Sequence, residues 1–348
     1  MDKLYLSKTY VDDLKNTINQ VINIEKLKNT SILITGATGT IGSFIVDTLL
    51  QYNAEADAKI VVYAAGRNIM RMREKFGEKK GLFFLPYDLD KQIVFDVCPE
   101  YIIHAAGNAF PRAFSRNPVG TIIGNVLGTY ALLEYGRSHR TKKFLYVSSG
   151  EVYGQSVLDK YSFTEDYSGY VDPVSARSCY PNSKRAAETL CVSYTKQYGL
   201  ITLIARPCHT YGPGISENDN RANAQFIRNG LDGKDIVLKS RGTQIRSYNY
   251  IVDCVSAMLT ILINGKSCEA YNVANSKAIC TIAEFAGIVA DVVKCEVIFE
   301  EPSELDIEDQ TPIKRQILNT KKLEELGWKE IFSLEEGIKH TIKILWGE

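Results

Sequence analysis

Ser31-Ile-Leu-Ile-Thr35 runs directly into Gly36-Ala-Thr-Gly39-Thr-Ile-Gly42. A short apolar run ends in closely spaced glycines, and a helix-forming stretch, 40–52, begins inside them. That order is strand, turn, helix. A bare backbone lets a pyrophosphate approach, and the helix N-terminus offers unpaired N–H groups and positive partial charge. The last glycine lets helix and strand pack closely. Gly36, Thr38, Gly39, Thr40, Ile41 and Gly42 are therefore candidate contacts of a dinucleotide.

Further short apolar runs follow at Lys59–Ala64, Leu82–Leu85, Tyr101–His104, Lys143–Ser148 and Ile201–Arg206. Helix-like segments separate them, at 69–76, 119–138 and 182–198 among others. Unbroken apolar runs alternating with helices predict an α/β fold, a doubly wound parallel sheet of Rossmann type covered on both faces. Residues 1–30 read as an N-terminal helical extension, with Leu14, Ile18, Val21, Ile22 and Leu27 near helical spacing. The dinucleotide-binding domain spans 31–206, with 248–275 packing back on it. After Arg206 the rhythm breaks at Pro207–Ser216, rich in turn residues. Residues 207–247 and 276–348 are expected to form a smaller mixed α/β substrate lobe.

Composition limits the function classes. Among 348 residues, 45% are hydrophobic and 24% charged, with 41 Lys plus Arg against 41 Asp plus Glu. Balanced charge gives no field that steers nucleic acid or an anionic membrane, so an anionic ligand must be gripped locally. The eight cysteines show no C-x-x-C spacing and only four histidines accompany them, so no metal site is expected. Reduced thiols and a polar N-terminus without an apolar core point to a cytoplasmic protein. His104 is expected to end a buried strand, and His139 and His340 to lie on helix surfaces.

The acid that usually ends the second strand and holds a ribose is missing. Ala64-Ala65-Gly66-Arg67-Asn68 stands there, so Arg67 could face a 2′-phosphate or lie over an adenine ring. Asn68 is a further candidate contact. Asp88-Leu89, after the third run, could reach the adenine amine, or Asp88 could cap a helix. Ala105, Ala106 and Gly107, after the fourth run, complete the cofactor set.

Tyr180-Pro-Asn-Ser-Lys184 opens the last helix of this domain. At i, i+4 the two side chains share one face, and an ammonium beside a phenol favours phenolate. Such a tyrosine can exchange a proton with an alcohol. The fifth run ends Val147-Ser-Ser149-Gly150-Glu151-Val-Tyr-Gly154. A hydroxyl there can orient the reacting oxygen.

With these three motifs the chain resembles the extended short-chain dehydrogenases/reductases, the epimerase/dehydratase group that acts on nucleotide sugars. The resemblance extends from about Ser31 to near the C-terminus. It is nearest to the UDP-glucuronate decarboxylase branch through Glu165–Tyr180, Glu188–Cys191, Asn218–Arg221, Gln244–Tyr248 and Pro312–Arg315 ahead of Gly327-Trp328. It implies a redox-neutral reaction with bound NAD. Carbon 4 is oxidised through Tyr180 and Lys184, carbon dioxide leaves, and the ketone is reduced again. Ser149 would orient the hydroxyl. Glu151 would serve carbon 5 chemistry, and Arg315 would hold the carboxylate or aid proton delivery. Asn108, Asn125, Arg177, His209, Arg221, Arg246 and Arg315 are the implied substrate contacts, the arginines 221 and 246 for the diphosphate.

Dehydratases of the dTDP-glucose type carry an acid where Gly150 stands, which favours decarboxylation here. A 4-epimerase, 4,6-dehydratase or 4-ketosugar reductase is the alternative, and a non-catalytic cofactor-binding scaffold a remote one. Three positions depart from the branch: Gly150 for serine, His209 for asparagine and Gly214 for arginine. NADP is the alternative cofactor, because of Arg67 and the missing acid. The expected partner is a UDP-linked sugar, with neither nucleic acid nor membrane. A homodimer is expected through Leu127, Ala131, Leu132, Ala186, Ala187, Leu190 and Tyr194 of the helices at 119–138 and 182–198.

Overall fold

A computed structural model describes residues 3–107, 109–156, 162–216, 219–303 and 313–348. Seven parallel strands form the main sheet: β1 (Ser31–Thr35), β2 (Val61–Gly66), β3 (Leu82–Pro86), β4 (Tyr101–His104), β5 (Lys143–Val147), β6 (Ile201–Pro207) and β10 (Ala270–Val273). Their spatial order is β10-β6-β5-β4-β1-β2-β3. The order reverses between β1 and β4, where an open α/β sheet holds its ligand at the carboxyl ends of the strands. The expected doubly wound parallel sheet is therefore present.

Burial explains the strand composition. Ile32, Ile34, Ile103, Leu145 and Leu203 belong to a core with α2 (Thr40–Ala56) and α8 (Ile251–Asn264). Their neighbours Leu33, Ile102, Phe144 and Ile204 pack with Leu132, Leu133, Ala187 and Cys191 of α5 (Pro118–Ser138) and α6 (Cys179–Tyr198). Successive residues point to opposite faces, and both faces are covered, so the runs read as continuously apolar.

Two elements start two or three residues from the expected position. The second strand starts at Val61 rather than Lys59, because Asp57 and Lys59 both hold left-handed φ values, 42° and 54°, in the turn before it. α6 begins at Cys179, ahead of 182. Pro181 fits there because N–H groups in the first turn have no partner within the helix.

α1 (Lys8–Gln20) packs across α2 and α8 through buried Leu14 and Ile18. Its fully buried Asp13 accepts from Tyr250 Oη at 2.5 Å and lies 2.8 Å from His340 Nδ1. His340, on α10 (Leu334–Trp346), is thus half-buried and bonded rather than a bare surface residue. His104 does end a buried strand. His139 caps α5, with its ring stacked 3.9 Å from that of Tyr135.

Beyond β6 a smaller sheet centres on β9 (Ile245–Tyr250). β7 (His209–Tyr211) and β13 (Arg315–Gln316) pair with it in parallel, and β11 (Ile279–Thr281) antiparallel. β8 (Ile236–Leu238) pairs with β12 (Val297–Phe299), beside α7 (Ala222–Leu231) and α9 (Ile282–Val293). A short helix, α4 (Pro111–Arg116), precedes α5 and lies against the start of α6. No helix among the described residues is long and apolar enough to cross a membrane.

Candidate active site

The glycine-rich turn is built by close approach. A Cβ on Gly36, at φ +69°, would lie 2.7 Å from Ala105 O, and one on Gly42 2.3 Å from Gly36 O. A Cβ on Gly39 would meet only Gly36 O, at 3.3 Å, so its other side is open space. No side chain caps α2, which leaves its first-turn N–H groups available. Around this turn lies a cleft of about 380 Å³, lined by Gly36, Thr38 and Gly39, by Arg67, and by Asp88, Leu89 and Ala105–Gly107. The cradle fits a dinucleotide pyrophosphate.

The remaining cofactor candidates are placed as follows. Arg67 is exposed at the end of β2 and lines the cleft. Asn68 caps α3 (Ile69–Phe76), accepting from Arg71 N at 3.0 Å. Asp88 accepts from Leu89 N at 3.0 Å and pairs with Lys91 at 3.4 Å. Sequence reading missed the far wall, formed by Asn117, Gly120, Ile123 and Gly124. Its signal was present in the spacing Gly120, Gly124, Gly128. Four-residue steps put the glycines on one helix face, and at Gly124 and Gly128 a Cβ would strike Leu89 at 3.2 and 2.7 Å.

Tyr180 and Lys184 lie on the buried face of α6, 5% and 4% exposed. Lys184 Nζ donates to Val147 O at 2.8 Å and sits 5.8 Å from the Tyr180 ring centre. It also borders Gly107, where a Cβ would be 3.8 Å from Nζ and 3.2 Å from Asn125 Oδ1. Asn125 in turn donates to Ser183 Oγ at 2.9 Å. Burial pushes the Tyr180 phenol up to about 12, helped by the negative charge of Glu151, while a hydrogen bond from Ser149 favours the ionised form. Burial also pushes Lys184 down to about 8, opposed by Glu188. Ser149, Tyr180 and Lys184 thus form one cluster.

Phe114 covers that cluster. Its ring stacks on Tyr180 with centroids 4.3 Å apart, and the Arg177 guanidinium lies 4.8 Å above its centre. Arg177 Nη2 donates to both Glu151 oxygens, at 2.9 and 3.0 Å, while its buried Nε has no partner. The two residues named separately from the sequence are paired with each other.

Glu151 and Arg177 open onto a second cleft of about 270 Å³, with His209, Arg221 and Arg246. Burial, with Arg246 and Arg221 nearby, pushes His209 down to about 3, so its ring is neutral, and its buried Nδ1 has no partner. Arg221 pairs with Asp219 at 2.5 Å. Arg246 donates to the carbonyls of Ile245, Lys314 and Ile313, bracing β9. Arg315 stands on β13 beside Ile245, with a buried, unpartnered Nε. Gly214 lies apart, beside the glycine-rich turn: its carbonyl accepts from Thr40 Oγ1 at 2.9 Å. Gly150 packs on Leu318 and Gln316. Asn108 and Asn218, and Pro312 of the last motif, lie outside the described residues. Among the described residues no cluster of His, Cys, Asp and Glu could hold a metal.

The chain is similar to known proteins over most of its length. UDP-glucuronic acid decarboxylase 6 of Arabidopsis thaliana is 33% identical over 311 residues, 89% of this chain and 87% of that protein. UDP-glucuronic acid decarboxylase 1 of Xenopus tropicalis is 31% identical over 89% of this chain and 71% of its own length. The structure of Thermus thermophilus UDP-glucose 4-epimerase, solved with NAD, superposes with a TM-score of 0.76 at 26% identity. It covers 91% of this chain and 99% of that one. The family model for the NAD dependent epimerase/dehydratase family matches residues 32–274, from β1 through β10. With the family model matched over most of the chain and the decarboxylase relatives above 30% identity, the chain belongs to the NAD dependent epimerase/dehydratase family.

Proposed function

We propose that this chain is an NAD-dependent nucleotide-sugar enzyme that decarboxylates UDP-glucuronic acid. The observation that carries the reading is the closeness of the bonded Tyr180 and Ser149 to Glu151, whose pair with Arg177 lines the second cleft. The similarity to UDP-glucuronic acid decarboxylases supports the choice of substrate.

The cofactor supplies the hydride acceptor and donor when bound. The glycine turn would hold its pyrophosphate, Asp88 its adenine, and Lys184 its nicotinamide ribose, with Asn125 and Gly107 beside that ammonium. Tyr180, in its ionised form, takes the proton of the carbon 4 hydroxyl, which Ser149 orients; burial raises the phenol, and the positive charge of bound NAD and of Lys184 would favour its ionisation. A ketone at carbon 4 is β to the carboxylate. The bond between carbons 5 and 6 then breaks, carbon dioxide leaves, and its electron pair passes into the enolate at carbon 4. Glu151 handles the proton that carbon 5 regains, and Tyr180 returns its proton to the oxygen at carbon 4. Gly150 has no proton to give a leaving hydroxyl, which disfavours dehydration. Arg177 and Arg315 are the cations for the carboxylate, Arg221 and Arg246 for the diphosphate, and His209 a neutral sugar contact.

Residues 207–247 and 276–348 would serve as the substrate lobe. The exposed apolar stripe Val119, Ile122, Ile123, Leu127 and Tyr130 of α5 suits a homodimer. Leu132, Ala187 and Tyr194, named for that role from the sequence, are instead buried in this chain's own core. Incubation with UDP-glucuronic acid tests the function. Carbon dioxide and a UDP-pentose are expected by mass; a product of unchanged mass, the 4-epimer, would refute decarboxylation.

A further inference from the structure

The end of β5 and the residues just after it bond one face of α6. Val147 O accepts from Lys184, Ser148 Oγ donates to Glu188 Oε1 at 2.5 Å, and Ser149 bonds Tyr180. Val147, the last residue of β5, and the two residues after it thus engage Lys184, Glu188 and Tyr180, which lie on one face of α6 at four-residue steps. Two of these helix residues belong to the reacting cluster. Glu188 does not: with Val152 and Arg206 it lines a separate recess of about 550 Å³ behind the site.

Glu188 is 8% exposed and nevertheless takes two further donors. Arg206 gives it Nε at 2.9 Å and Nη2 at 2.6 Å. The remaining terminal nitrogen, Nη1, donates to Tyr153 Oη at 2.9 Å and Glu165 O at 2.8 Å. Tyr153 Oη donates onward to Asn272 Oδ1 at 2.6 Å. Arg206 therefore ties both ends of the segment 148–153, one through Glu188 and Ser148 and the other through Tyr153. Between those ends lie Ser149 and Glu151.

We infer that Glu188 is a positioning residue: with Ser148 and Arg206 it clamps segment 148–153 to α6, so that Ser149 and Glu151 meet Tyr180 at a fixed distance. The inference rests on the reading of Tyr180, Ser149 and Glu151 as the reacting groups. A charge-assisted bond is stiffer than a neutral one, and a misplacement of about 1 Å far from the chemistry can cost roughly 100-fold in rate. The carboxylate also opposes the loss of charge at Lys184 on burial.

Ser148→Ala and Glu188→Gln in the full chain, loaded with NAD, test it. The control is Ser256→Ala, which removes a buried acceptor of Trp328 Nε1 away from the site. For Ser148→Ala the expected result is a fall of roughly 10- to 100-fold in kcat on UDP-glucuronic acid, with KM within about threefold. Backbone amide exchange should quicken over 148–153 and not elsewhere. The control should lose stability and keep kcat. Glu188→Gln should act in the same direction; if stranding Arg206 prevents it from folding, Ser148→Ala decides alone. Unchanged kcat and unchanged exchange over 148–153 in Ser148→Ala overturn the inference. If the unsubstituted chain does not turn over UDP-glucuronic acid, the functional reading fails, and the exchange data alone judge the clamp.

Discussion

Glu151→Gln has two separable consequences. The pair it breaks is mostly buried, with side chains 16% and 23% exposed for Arg177 and Glu151. Arg177 already has one buried nitrogen without a partner, so the substitution strands a guanidinium that glutamine cannot neutralise. Breaking a fully buried pair costs about 3–5 kcal/mol. Allowing for the residual exposure, about 2–3 kcal/mol is expected. Spread over the unfolding entropy of a chain of this length, that lowers the melting temperature by about 3–4 °C. The double variant Glu151→Gln/Arg177→Met removes the stranded charge and should melt above the single variant, a non-additivity that a plain packing defect would not give. In kinetics, overall turnover should slow while carbon 4 oxidation persists, seen as accumulation of reduced cofactor. Differential scanning calorimetry and stopped-flow absorbance read the two effects. Should Glu151→Gln melt within about 1 °C of the parent and retain full turnover, the pair has neither role and the assignment of carbon 5 chemistry to Glu151 is wrong.

Tyr180→Phe should lower turnover by roughly 10²–10⁴-fold with NAD affinity retained in equilibrium titration; parent-like turnover would remove Tyr180 from the mechanism. Denaturing the purified protein should release NAD, identified by mass, in keeping with its family. Arg67→Ala should then weaken NAD and NADP alike, since Arg67 would lie over the adenine that both carry; a selective loss of NADP binding would instead assign it to the 2′-phosphate. His209 has a folded pKa of about 3 against 6.5 for the free side chain. Between those values the unfolded chain binds the extra proton, so stability falls as pH drops from about 6.5 toward 3. His209→Asn should flatten part of that acid-side fall in melting temperature, while buried His104, also near 3, keeps its share.

The parts of the fold legible in the sequence are those whose signal is local. Tyr101–His104 and Ile69–Phe76 matched to the residue, because each is a short element with its own composition and a clear stop. The glycine turn was legible because close approach dictates residue type at each step. β9 was not legible as a hub, since its partners come from 209–211, 279–281 and 315–316, and no periodicity announces pairing across such distances. Nor did the sequence announce that Glu151 would bind Arg177, or that Arg246 would also brace three carbonyls. Residue type gave their chemistry, and only tertiary packing could give their partners. Nor could composition choose which face of α5 is exposed. α5 is apolar nearly all round, so composition cannot separate Leu132, which faces the sheet, from Leu127, which faces outward.

The seventh strand of the main sheet is supplied by residues that come after the 207–247 stretch. Val273 registers with Pro207, and Ala270 with Ile204, so β6 has its outer edge closed only when the chain has left the sheet and returned. A fragment ending near Arg206 would present that edge, with its unpaired amides and carbonyls, to other chains, and should aggregate rather than fold. Exchanging the proposed substrate lobe between relatives by recombination therefore requires three junctions, one after β6 and one on each side of β10. A hybrid joined at a single point would inherit a sheet edge from one parent and its cover from the other.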